Sequence, residues 1–137
     1  MTMKPKQPTS RGVTLIEVLV SLLLFSLSIL GLVALQARAT AFSIDAEDRN
    51  RAAVLANELI STMWLNGSAA LPKTTIDAWK EKVKSPAAGG LNVPADADPS
   101  ISPDPSTGAT VITIRWKAPH KTSSDDVSQY TTSVVIQ

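Results

Sequence analysis

From Val13 to Ala37 the chain contains one ionisable side chain, Glu17, no proline and one glycine, Gly31. Val18 to Leu35 is uncharged throughout and dominated by Leu, Val and Ile, with serines at positions 21, 26 and 28. A helix needs ~20 predominantly apolar residues to cross a hydrocarbon core ~30 Å thick, and this run is long enough. Lys4, Lys6 and Arg11 precede it, whereas Arg38 is soon followed by Asp45, Glu47 and Asp48. The positive-inside rule then keeps the amino end in the cytoplasm and exports the remainder. Glu17 is the anomaly. A carboxylate in a membrane helix costs roughly 2.5–3.5 kcal/mol on insertion scales, so it is expected to have a partner and a role. An Ala-x-Ala pair, Ala37 and Ala39, offers an ordinary signal-peptidase site before Thr40. The apolar run exceeds the ~7–15 residues of a secretory signal, which argues against that use.

Gly12 supplies another boundary. The string Gly12-Val-Thr-Leu-Ile-Glu-Val-Leu-Val-Ser21 resembles the processing site of type IV prepilins and type II secretion pseudopilins. The resemblance implies a cut between Gly12 and Val13 by the prepilin peptidase, which also methylates the new amino terminus at Val13. It further implies that Glu17, with Thr14 beside it, serves filament assembly. In a low-dielectric filament core the Glu17 carboxylate would attract the positive Val13 terminus of a neighbouring subunit and so set the stagger between helices. Val13 stands where the family most often has phenylalanine.

Leu30-Gly31-Leu32 and Leu35-Gln36 are similar to the PilV-type minor pilins, as is a tryptophan strand followed by Tyr130-Thr-Thr-Ser-Val-Val-Ile136. The resemblance implies a minor pilin that primes, or enters, a type IV pilus and thereby supports twitching motility, adhesion or DNA uptake. Its implied partners are the prepilin peptidase/methyltransferase, other minor pilins and the major pilin, the inner-membrane assembly platform and membrane lipid. The implied location is the inner membrane, with the carboxyl-terminal domain periplasmic, and later the pilus. One alternative is a minor pseudopilin of a type II secretion system; another is a single-span periplasmic anchoring or binding protein.

The expected organisation is a leader over 1–12, a membrane and filament-core half over 13–37, and a periplasmic globular domain over 38–137. With Lys4, Lys6 and Arg11 removed, 10 Lys and Arg face 12 Asp and Glu, a net side-chain charge of −2. That balance does not suggest direct nucleic-acid binding. The chain has no cysteine and one histidine, poor material for a transition-metal site, and no cofactor is expected. No nucleophile motif or phosphate-cradling loop points to an enzyme.

The expected fold is α+β and pilin-like: one long amino-terminal helix whose exported half packs on a small antiparallel sheet. No proline interrupts the chain between Val13 and Leu71, and Ala52, Leu55, Ala56, Leu59 and Met63 fall at helical spacing. Asn66-Gly67 provides the stop. A short helix is expected over 74–84, capped by Thr74 or Thr75, with Ile76, Trp79 and Val83 on its apolar side and its lysines solvated. Residues 85–106 read as an irregular loop with a short strand near Leu91 to Val93. Asp96, Asp98 and Asp104 raise a calcium reading, but they lack an EF-hand's glycine and terminal glutamate, so a solvated acidic loop is expected. Two strands close the chain, 109–117 with Ile112, Ile114 and Trp116 on one face, and 127–137 with Tyr130, Thr132, Val134 and Ile136 on one face. Since two strands alone are marginal, a third is expected from the loop. His120, in the turn region 118–126, has no titrating partner near it in sequence and reads as a surface residue.

Overall fold

The computed structural model describes residues 11–121 and 127–136, with only the backbone described for 11–13. Most of the expected leader and the 122–126 part of the connection between the last two strands lie outside the described residues. The architecture is α+β. Helix α1 (Arg11–Leu65) is followed by α2 (Lys73–Lys84), a 3-10 turn (Pro86–Ala88) and three strands, β1 (Ser100–Pro103), β2 (Thr110–Trp116) and β3 (Ser128–Val134). The chain divides into two compact units at Thr40–Ala41.

In the amino-terminal unit, α1 is helical because leucine-rich sequence loses little side-chain freedom there and proline is absent. Its hydroxyls are answered locally: Ser26 and Ser28 each donate to the carbonyl four residues back at 2.8 Å. Such back-donation satisfies these two hydroxyls within the helix itself.

The second unit holds the core. Ala52, Leu55, Ala56, Leu59 and Met63 of α1 are buried together with Trp79 and Val83 of α2, Leu91, and Ile112, Ile114 and Trp116 of β2. The period of α1 thus meets the two-residue alternation of β2, and each apolar face covers the other. The sheet order is β1-β2-β3, antiparallel throughout. In register, Ile112 faces Thr132 and Ile114 faces Tyr130, which puts the expected inner faces of the two strands on one side. Tyr130 and Ile136 pack against the core from its margin. The third strand is present but sits at Ser100–Pro103 rather than near Leu91 to Val93. Leu91 is instead a core residue: its N–H bonds the Val83 carbonyl at 2.7 Å, tying the segment to α2, while the Asn92 carbonyl accepts from the Lys117 N–H at 2.9 Å just past the end of β2.

α1 ends where expected. Gly67 takes a positive φ of 58° and the Ser68 N–H returns to the Met63 carbonyl at 3.1 Å. α2 starts one residue earlier than expected, and its cap is Pro72 rather than Thr74 or Thr75; no side chain caps it. Pro72 has extended backbone and brings no donor of its own, while its carbonyl accepts from Thr75 and Ile76. Gly90 is the other glycine with a defined task. A Cβ there would come within 2.2 Å of the Lys82 carbonyl oxygen and 2.5 Å of that of Val83, so only glycine lets the chain fold back over the end of α2.

Candidate functional site: the amino-terminal helix face

Gly12 and Val13 lie within α1, in its first turn. Thr14, Glu17, Val18, Ser21, Leu22 and Phe25 line one shallow depression on the helix surface. Their steps of three and four residues place them along a single side of a helix with 3.6 residues per turn. The two residues expected to serve assembly, Thr14 and Glu17, are therefore brought onto one face, with Ser21 one turn further on. Glu17 is solvent-exposed, as is every residue from Thr14 to Thr40. Most large apolar side chains along this unit are more than half exposed, Leu15 at 69% and Leu30 at 67% among them. Among the described residues, this is the one helix long and apolar enough to cross a membrane, and none of that window is buried inside the chain. An uncovered apolar surface of this length calls for lipid or other helices around it, since water is a poor solvent for it.

The remaining sequence candidates resolve differently. Lys82 pairs with Glu58 of α1 at 2.7 Å, Lys84 with Glu81 at 3.3 Å and with Asp98 at 3.2 Å, and Lys73 with Asp77. Hydrogen bonds that Lys84 donates to Asp98, and then to Glu81, hold its ammonium above its ordinary pKa. Lys82 and Lys84 thus serve solvated ion pairs that tie α2 to Glu58 and Asp98, while Lys73 pairs within α2. Asp104 accepts from the Ser106 hydroxyl at 2.6 Å, the Ser106 N–H at 2.9 Å and the Thr107 hydroxyl at 2.9 Å, closing the β1–β2 turn. These bonds, Ser106 foremost, hold its carboxyl below the ordinary range. Asp98 and Asp104 are thus engaged separately. Among the described residues, no group of three or more His, Cys, Asp or Glu side chains comes together to hold a metal.

His120 is exposed, as expected, and the fold brings beside it a carboxylate that is remote in sequence. Its Nε2 lies 3.5 Å from Asp45 Oδ2, both side chains being about one-third exposed. Asp45 Oδ1 is buried without a hydrogen bond. Beside them, burial pushes the Asp48 carboxyl above its ordinary pKa, with Glu47 and Asp45 adding to the effect and Arg51 and His120 opposing it. The sequence gives no sign of this contact because Asp45 and His120 belong to distant elements joined only by the fold.

A protein-family model of the prokaryotic N-terminal methylation motif matches residues 8–33. The match covers Gly12, Val13, Thr14, Glu17 and most of the apolar run, and it identifies a type IV pilin-like prepilin signal. No curated protein and no solved structure matches the chain. What is established is thus the signal at the amino terminus, on a helix suited to membrane anchoring, followed by a folded α+β unit. Motifs of this family are structural rather than enzymatic, and they imply processing by a prepilin peptidase.

Proposed function

We propose that this chain is a minor pilin of the PilV type, made as a prepilin, that primes or is incorporated into a type IV pilus. In this reading residues 1–12 are a cytoplasmic leader, 13–37 become the membrane and then filament-core segment, and 38–137 form the periplasmic domain. Prepilin peptidase cuts between Gly12 and Val13 and methylates Val13. The observation that carries the proposal is the methylation-motif match over 8–33 on a helix whose residues from Thr14 to Thr40 are all exposed. A helix left bare by its own chain is what a subunit needs if it is to exchange lipid for the helices of its neighbours. Glu17 then has a function: its charge is costly among lipid tails and is answered by a neighbouring subunit's Val13 amine. Thr14, on the same face, contributes to that contact.

The test is an in-frame deletion scored for surface pili with twitching and, in parallel, for the secreted proteome. Loss of pili with normal secretion is the expected result. Failed secretion with intact pili would instead make the chain a minor pseudopilin of a type II secretion system, which carries the same signal.

A further inference from the structure

The turn over 118–121, which follows β2, is anchored on several sides. Ala118 is buried, and the Lys121 N–H closes the turn on the Ala118 carbonyl at 3.0 Å. The Lys117 N–H donates to the Asn92 carbonyl at 2.9 Å, and Lys121 Nζ donates to the Ser128 hydroxyl of β3 at 3.1 Å. None of those acceptors titrates. The tie to α1 is different in kind. It runs from His120 Nε2 to Asp45 Oδ2, 3.5 Å apart, and is an ion pair only when the imidazole carries its second proton.

On the α1 side, Asp45, Glu47 and Asp48 crowd into one helical turn. Arg51 answers Glu47 at 2.6 Å and donates its other nitrogen to the Gly90 carbonyl at 3.2 Å. Asp45 is left with Oδ1 buried and without a donor, and with Oδ2 against His120. Asp48, three residues on, is half-buried and feels the same imidazole. Among the described residues, then, two carboxylates of α1 look to one histidine, with Arg51 bonded to Glu47 and Lys121 to Ser128. An ordinary imidazole is protonated below about pH 6.5, and an ordinary aspartate is ionised above about pH 4. Between those values both partners are charged and attract, the more so where water is partly excluded. Stability from such a pair is present at mildly acidic pH and is lost as the pH rises through the histidine range. We infer that His120 and Asp45 form an acid-closed clasp, which holds the turn over 118–121 on α1 when the imidazole is charged and loosens it when the imidazole is neutral. The clasp belongs to the folded unit alone and is independent of how the amino terminus is processed.

A double-mutant cycle on the full-length, detergent-solubilised chain tests it. The parent, His120→Gln, Asp45→Asn and the double variant are unfolded at about pH 5.5 and about pH 8, on either side of the histidine range. The expected coupling is about threefold in the folding equilibrium at the lower pH and none at the higher, the size that a partly exposed pair allows. The Lys121 amide gives a local readout by hydrogen exchange. At the lower pH each single variant should exchange it about threefold faster than the parent, and at the higher pH neither should differ from the parent. His120→Lys, whose charge persists, should protect that amide at both pH values. Coupling of equal size at both pH values, coupling at neither, or a His120→Lys chain that loosens with rising pH would each overturn the inference. So would a coupling that appears with Asp48→Asn in place of Asp45→Asn, since the imidazole would then answer the wrong carboxylate.

Discussion

The two parts of α1 share a conformation and little else. From Thr14 to Thr40 every side chain is exposed, and the surface is apolar all round apart from Glu17, a few hydroxyls, Gln36 and Arg38. From Ala41 onward the same helix turns amphipathic, with Ala52, Leu55, Ala56, Leu59 and Met63 buried against α2 and β2. Among the described residues the first part finds no apolar partner, so its apolar surface would be covered by something outside the chain. The second part finds its partner in the chain's own sheet, so its stabilisation is intramolecular. A helix that is apolar on every side is solvated by something other than water, and one with a single apolar stripe completes a domain. The two readings make opposite demands on substitution.

The largest expected effect is on assembly. Glu17→Ala should leave insertion and cleavage intact yet nearly abolish incorporation into filaments, measured by the share of the chain in sheared pili against membranes. Normal incorporation would remove Glu17 from the mechanism and weaken the contrast between the two parts.

Core truncation should sharpen the contrast on the stability side. Leu59→Ala should cost about 2–5 kcal/mol, the range for buried leucines, and lower the melting midpoint of the detergent-solubilised chain accordingly. Leu23→Ala, in the exposed part, should stay within about 0.5 kcal/mol of the parent. Equal losses would mean that the amino-terminal half is packed within the chain after all.

A smaller loss is expected at Trp79. Its indole N–H donates to the Leu55 carbonyl at 2.8 Å in the buried seam between α2 and α1. Trp79→Phe keeps an aromatic ring and removes that bond, for an expected cost of about 1 kcal/mol plus lost packing. An unchanged melting curve would show that the seam does not depend on it.

The smallest effect concerns Asp48. Its carboxyl is raised chiefly by burial, so the folded chain holds more protons than the unfolded one between the two pKa values. Stability therefore falls as pH rises through that window and stays lower above it. Asp48→Asn should raise the midpoint by about 1–2 °C at neutral pH, a modest figure because solvent screens a partly exposed group. The gain should vanish near about pH 3, below the ordinary aspartate range. A lower midpoint at neutral pH would mean that Arg51 and His120 outweigh the burial.

Most of this was legible in the sequence where period or composition carried it. The long apolar helix, the buried stripe of α1, the inward faces of β2 and β3 and the glycine stop at Gly67 all follow from spacing. What was missed depended on tertiary placement. The third strand formed at Ser100–Pro103 because that segment pairs with Thr110–Thr113, while Leu91, a better strand former by composition, was drawn into the core. α2 began after Pro72, where the carbonyl geometry of a proline did the work expected of a threonine hydroxyl. The Asp45–His120 contact joins α1 to the connection after β2, and no local pattern encodes it. At the candidate site the reverse holds, since Thr14 and Glu17 share a face through helical spacing alone.

The most direct test of the account is the amino terminus of the mature protein, read by mass spectrometry from purified membranes with and without prepilin peptidase. The account predicts a chain that begins at N-methylated Val13 when the peptidase is present and retains residues 1–12 when it is absent. A terminus at Thr40, or an uncleaved chain in both strains, would contradict it.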